Sequence, residues 1–292
     1  MILGQYLING IASGAIYALL AVGFAMIYNT TKMLHIAHAV VYTGGAYVYY
    51  TCAILLGMGL WFAMPFAIAG ATLLGLSIEV GIYRPIRRLG GGTNSILIAS
   101  LGTISLLQGV YAVLFTTDTR TLRQGPLPAF IVGGDSITSL HVAVLAVVAV
   151  TFPLLQLFLR RSRIGIAIRA LADNPALAEV HGMDTRRLYA IIMMIGSALA
   201  GAAAILVSLD LGVKPDMGFD AVFTSVVAVV VGGVGYLPGA LLGAFMLALL
   251  QQLAVWQLNS AWQNGVVFGT LVIFLILRPQ GVFGGRMASR RA

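Results

Sequence analysis

Long, unbroken apolar runs separated by short charged stretches account for almost the whole chain. A helix needs about 20 mostly apolar residues to cross a bilayer. Runs of that kind lie at Leu7–Tyr28, Ile36–Leu56, Leu60–Ile78, Ser95–Phe115, Leu140–Leu159, Ala190–Leu209, Phe219–Val234, Gly239–Trp256 and Trp262–Leu277. They are continuous rather than alternating, and lipid admits only helices or closed barrels, because every backbone polar group must pair internally. The pattern predicts an all-α integral membrane protein, a polytopic bundle of about eight or nine transmembrane segments. The seventh run is short and interrupted by glycine, so whether it crosses fully stays open. No cleaved leader is expected: the chain starts Met1-Ile2-Leu3-Gly4-Gln5 without a basic region, and more spans follow the first.

The breaks in the pattern organise the rest. A single transmembrane domain is expected over residues 1–292. The connection Thr116–Ser139 contains Gly125-Pro126-Leu127-Pro128 and Gly133-Gly134, turn signals that predict a short interfacial helix or a hairpin. Arg88-Leu89-Gly90-Gly91-Gly92-Thr93 is expected to be a flexible linker. The loop 160–188 has helical composition with its own start and stop signals. Asn174 before Pro175 suits an N-cap with proline at the first helical position. Glu179 is expected in the first turns, where the macrodipole favours it. Gly182 suits the left-handed residue that ends a helix. The spacing predicts about two turns, with Ala176, Leu177 and Val180 on one apolar face. Such a helix either rests on lipid headgroups or docks a cytoplasmic partner.

Composition sharpens this picture. Sixty per cent of residues are hydrophobic and 9% are charged, against about a quarter charged in soluble domains, and the mean hydropathy is +0.97. The net charge of +8 does not point to nucleic acid, because the arginines cluster in alternate loops, as the positive-inside pattern requires. Arg84, Arg87 and Arg88 follow the third run, and Arg160, Arg161, Arg163, Arg169, Arg186 and Arg187 follow the fifth. Arg278, Arg286, Arg290 and Arg291 close the chain, whereas Asp118, Asp135, Asp210, Asp216 and Asp220 occupy the opposite loops. The N-terminus is therefore predicted outside and the C-terminus cytoplasmic.

The candidate chemistry is sparse. Carriers and pumps keep ionisable groups within the bilayer, yet only Glu79 approaches that position, and an interfacial pair with Arg84 is expected for it. The chain has no G-x-x-x-x-G-K-[ST] phosphate loop and no G-x-S-x-G elbow. His35 and His38 are too few to hold a structural metal and are expected to pack. Cys52 is a lone cysteine within a span, so no disulfide can form inside the chain. No enzyme activity, metal or cofactor of the chain's own is expected, and the energy for any transport must come from another subunit. Gly10 and Gly14, and then Gly235, Gly239 and Gly243, have the spacing of close helix packing. Gly232 to Pro238 is alternatively a broken helix lining a cavity. Asn9, Thr103 and Gln108 are candidates for lining a translocation path; His38, Gly232 and Gly233 join them.

In order and spacing these residues resemble the LivH-type permease subunits of bacterial branched-chain amino acid ABC transporters. The resemblance covers essentially the whole chain. It lies in Leu34-His35-Ile36-Ala37-His38 with Gly44-Gly45-Ala46-Tyr47, in Tyr83-Arg84-Pro85-Ile86-Arg87, and in Ser100-Leu101-Gly102-Thr103. It continues in 231–243, from Val231-Gly232-Gly233-Val234-Gly235 to Gly243, and in Leu277-Arg278-Pro279-Gln280-Gly281-Val282-Phe283-Gly284. The resemblance implies an ABC importer permease fold in the bacterial inner membrane, importing leucine, isoleucine and valine. It implies as partners a homologous LivM-like permease, two cytoplasmic ATPases that bind ATP and magnesium, and an extracytoplasmic substrate-binding protein. It places coupling on 170–184, with Gly182 as the matching glycine and Arg169, Ala170, Asp173, Asn174, Ala178 and Glu179 beside it. The family often has asparagine at His35, glycine at Ala39 and a polar residue at Val40, so gating or substrate is open to change there. The same family serves urea, short amides and other small organic solutes. Outside it, an autonomous carrier or channel is the competing class, and an intramembrane enzyme the remaining one.

Overall fold

The computed structural model describes residues 2–123, 125, 128–132 and 134–283. The expected turn residues Pro126, Leu127 and Gly133, the closing Gly284, and Arg286, Arg290 and Arg291 lie outside the described residues. In chain order the helices are α1 (Ile2–Thr31), α2 (His38–Tyr50), α3 (Leu60–Ile78), α4 (Arg84–Arg88) and α5 (Thr93–Phe115). A hairpin of β1 (Ala129–Val132) and β2 (Asp135–Thr138) follows. Then come α6 (Ser139–Arg161), α7 (Arg163–Asp173), α8 (Pro175–Val180), α9 (Thr185–Leu211), α10 (Met217–Gly232), α11 (Leu237–Gln257) and α12 (Gln263–Leu277). A π turn at Thr51–Leu55 prolongs α2, and a second at Glu79–Tyr83 joins α3 to α4 without a break.

Among the described residues, seven helices are long and apolar enough to cross a membrane. Two predicted segments fall outside that set. α10 is a shorter apolar helix of 16 residues. α2 spends 13 residues in regular α-geometry before its π turn, and His38, Tyr42, Tyr47 and Tyr49 make it less apolar than its neighbours. Protein rather than lipid surrounds those side chains, since all four are buried.

By packing, the chain forms two compact units, residues 1–25, 123–149 and 221–292 in one, and 26–122 and 150–220 in the other. Three of the divisions fall inside α1, α6 and α10, so no linker composition marks them. In the second unit α2 lies against both α3 and α9, and α3 against α9. Glycine permits that approach. A methyl group on Gly45 would sit 3.1 Å from the Gly201 Cα and 3.2 Å from the Ala71 Cβ, and one on Gly201 would sit 2.8 Å from the Ala71 Cβ. Lipid tails are as apolar as leucine, so close backbone contact replaces the hydrophobic drive between such helices.

In the first unit, methyl groups on Gly10 and Gly14 of α1 would strike Leu249 and Phe245 of α11. Of the two alternatives expected between residues 116 and 139, a short helix or a hairpin, the hairpin is present, pairing Ala129 with Thr138 and Val132 with Asp135. Its free edge is held by a side chain. Gln5 Nε2 donates to the Ser136 carbonyl at 3.0 Å, and Gln5 Oε1 accepts from the Ser136 N–H at 2.7 Å. One carboxamide thus does what a neighbouring strand would do.

The junction of Gly45, Ala71 and Gly201 has a measurable consequence. Gly201→Ala is expected to lower stability by about 1–3 kcal/mol through overpacking. Adding Ala71→Gly should recover most of the loss. Thermal midpoints of the two purified variants in detergent check this.

Candidate functional site

The segment between α6 and α9 is built from overlapping helix caps. Ser162 Oγ accepts from the Gly165 N–H at 2.8 Å and starts α7. Any side chain at Gly165 would collide with the Phe158 carbonyl, so glycine lets α7 fold tightly back on the end of α6. α7 buries Gly165, Ile168 and Leu171 along one stripe and leaves Ile164, Ile166 and Arg169 exposed. Asn174 ends α7 and begins α8, its Oδ1 accepting from the Leu177 N–H at 3.0 Å. Pro175 then takes the first helical position, where a missing N–H costs nothing.

Gly182 closes α8 with φ +76°. The Gly182 N–H donates to the Glu179 carbonyl at 2.9 Å and the Met183 N–H to the Ala178 carbonyl at 3.1 Å, the bond pair of a Schellman cap. Nothing lies within 4 Å of a methyl group placed on Gly182, so backbone conformation and not space selects glycine. Asp184 then caps α9 by accepting from the Arg187 N–H at 3.1 Å. The expectation for Glu179 is corrected. It falls in the last turn of a six-residue helix rather than the first, and its Oε1 accepts from Thr185 Oγ1 at 3.0 Å. That bond ties α8 to the start of α9 across the glycine.

The caps decide what the segment presents. Ala178 is 4% exposed and faces inward, whereas Leu177 is 54% and Val180 82% exposed, with Ala176 exposed beside them. Arg163, Arg169, Arg186 and Arg187 are exposed around this apolar tip, as are Asp173, Asn174, Glu179 and Gly182, while Ala170 is half-buried. Sequence reasoning missed the Ser162 cap and the Glu179–Thr185 bond. A serine three residues before Gly165 was the available signal for the first; nothing local announces the second.

The candidate path residues fall in both units. In the first, the half-buried Asn9 has its Oδ1 occupied by Gln5 Nε2 at 3.0 Å. Gly232 ends α10, and a methyl group there would collide with the Gly239 carbonyl on α11. Gly233 has φ +105° in the turn to α11, and Gly281 packs on it while the Val282 N–H donates to the Val231 carbonyl at 2.8 Å. In the second unit, Thr103 is buried and back-bonded to the Ala99 carbonyl at 2.7 Å, and Gln108 is half-buried. His38 is fully buried at the start of α2, its ring edge-on to His35 with centroids 5.5 Å apart.

Glu79 differs from expectation in both depth and partner. It is 0% exposed within the π turn, and it pairs with Arg87, not Arg84. In an uninterrupted helix, residues eight apart lie about 80° apart around the axis. A π turn holds an additional residue, which makes the pair equivalent to a seven-residue spacing, about 20° apart.

Comparison with known proteins gives three findings. The family described as branched-chain amino acid transport system / permease component matches residues 6–276. The high-affinity branched-chain amino acid transport system permease protein BraD of Pseudomonas aeruginosa is 33% identical, over 96% of this chain and 95% of that protein. LivH of Salmonella typhimurium, a permease protein with the same description, is 32% identical over the same shares. Among solved structures, a chain of PsaBC from Streptococcus pneumoniae in complex with Fab superposes with a TM-score of 0.51 at 15% identity, covering 97% of this chain and 94% of that one. That likeness is one of fold alone.

Loss of the N-cap tests the build of α8. Asn174→Ala should weaken the helix by about 1 kcal/mol and speed exchange of the Leu177 amide about fivefold, read by hydrogen–deuterium exchange in detergent.

Proposed function

Since the chain belongs to the family of branched-chain amino acid transport system permease components, we propose that it is the membrane permease of an ATP-driven importer of leucine, isoleucine and valine. Residues 163–183 are its docking element for a cytoplasmic ATPase. One observation supports this most: a six-residue helix, capped at both ends, holds Leu177 and Val180 out of the protein. Isolated helices that short are unstable in water, so the caps and the Glu179–Thr185 bond maintain a shape that leaves Leu177 and Val180 exposed among the described residues.

A second permease, a pair of ATPases and an extracytoplasmic binding protein complete the assembly. The basic loops lie toward the cytoplasm, with the N-terminus outside and the C-terminus inside the bacterial inner membrane. ATP closes the ATPases, the 163–183 segment moves as a lever, and the permeases alternate between inward- and outward-open states. Within the second unit, Thr103, Gln108 and His38 contribute to the path. Neutral side chains suit a solute whose selection rests largely with the binding protein. Urea and short amides are the alternative substrates, and competition against labelled leucine uptake separates them.

The assembled transporter in proteoliposomes is expected to accumulate leucine only with ATP, and this chain alone not at all. Accumulation by the chain alone on an ion gradient would replace the proposal with an autonomous carrier. Gly182→Val should insert and assemble normally yet hydrolyse ATP without uptake, because a β-branched residue resists positive φ. Gly182→Asn, which tolerates that conformation, should stay coupled. Fully coupled transport by Gly182→Val would remove the lever from this position.

A further inference from the structure

The Arg87 guanidinium touches three separate elements at once. Its Nη2 donates to Glu79 Oε1 in the π turn. Its guanidinium carbon lies 4.8 Å from the centroid of the Tyr189 ring on α9. Its Nη1 is 3.9 Å from Met33 Sδ, in the linker that leads to α2. Tyr189 stands one helical turn after Thr185, the residue that bonds Glu179 of α8.

The linker beyond Met33 is held by the same neighbourhood. His35 Nδ1 and Tyr83 Oη are 2.8 Å apart, and Tyr83 closes the π turn that Glu79 opens. The Ala37 N–H donates to Ser100 Oγ on α5 at 2.7 Å. A continuous line of contacts therefore runs from the exposed α8, through Thr185 and Tyr189, to Arg87, and onward to residues 33–37.

Holding the fold together is a poor reason for such a pair. Exchanging a buried ion pair for apolar residues of similar volume is often neutral or stabilising. Ionisable groups within membrane segments mark function by default, and π turns recur at functional sites. The pair also has somewhere to go. Glu79 Oε2 and Arg84 Nε are buried without hydrogen bonds, a spare acceptor and a spare donor on the same helical stretch. Coupling needs an element with two arrangements, and unused partners on adjoining turns supply one.

We propose that Arg87 is the positioning residue that carries displacement of the 163–183 segment, through the Tyr189 ring, to the linker 32–37 at the start of α2. It rests on the import function proposed above. During the cycle Arg87 follows Tyr189, and the Glu79 carboxylate is left within reach of Arg84.

The test uses the complete transporter in proteoliposomes, with leucine as the transported probe, and reads ATP hydrolysed per leucine imported. Tyr189→Phe keeps the ring face and should leave the ratio unchanged. Tyr189→Leu should raise it about fivefold or more, the lower range of measured coupling between sites. The double substitution Glu79→Gln with Arg87→Met removes both charges of the pair together, so it should assemble and melt like the natural complex while showing the same raised ratio. Ratios at the natural value in both Tyr189→Leu and the double variant overturn the proposal. So does failure of both to assemble, which makes the cluster a folding element. Absence of ATP-driven uptake by the unaltered transporter overturns the import function itself; normal uptake with unaffected variants overturns this inference alone.

Discussion

The close approach of three helices at Gly45, Ala71 and Gly201 is the constraint on which the second unit depends. Within lipid, apolar side chains gain little by leaving the solvent, so helices cohere where their backbones can nearly touch. Missing side chains at Gly45 and Gly201 allow α2 and α9 to meet α3 at that distance. α9 is thereby fixed along its middle. Its far end is tied as well: the Arg120 and Val213 backbones exchange two hydrogen bonds of 2.8 Å. A helix held in this way is a stiff rod, and its near end begins where the capped α8 turns back at Gly182. The short helix thus adjoins a helix held at its middle and its far end.

Polar groups inside the bundle follow one economy. Several hydroxyls are spent on backbone. Thr30, Thr72, Ser208 and Ser225 each donate to a carbonyl one turn earlier in their own helix. Thr43 does the same and also accepts from the Gly218 N–H at 3.2 Å, which pins the start of α10 to α2. Ser100 accepts from Ala37, in the turn just before α2. Each bond removes an unsatisfied group that lipid could not solvate. Glu79 and Arg87 stand apart, since charge cannot be settled by a single backbone contact, and that contrast draws attention to them.

The first unit uses glycine and a carboxamide to the same end. Gly232, Gly239 and Gly243 let α10 and α11 run in contact, Gly243 against the Ala228 carbonyl. The stretch 279–283 folds onto the turn between them through Gly281 and Val282. Two motifs whose touching residues are about fifty positions apart in the chain are thus one structural feature. Gly232 and Gly233 entered as path candidates, and packing already accounts for Gly232 being glycine.

What the amino-acid order decided alone was local. The apolar runs set the membrane class and most helix limits, and α3 begins and ends at the residues predicted, Leu60 and Ile78. Asn174, Pro175 and Gly182 announced α8 because a cap acts within about four residues. Glycines between residues 116 and 139 announced a turn for the same reason, while leaving helix and hairpin both open. What only the folded chain decided involves distance or register. Gln5 reaches Ser136 across 131 positions. Arg87, not Arg84, pairs with Glu79, and the π turn that brings the two close to one line cannot be read from a residue count. Ala178 turns inward and Val180 outward because of how α8 packs on α7 and α9. Capping and hydropathy are properties of neighbours along the chain, whereas pairing and burial belong to neighbours in space.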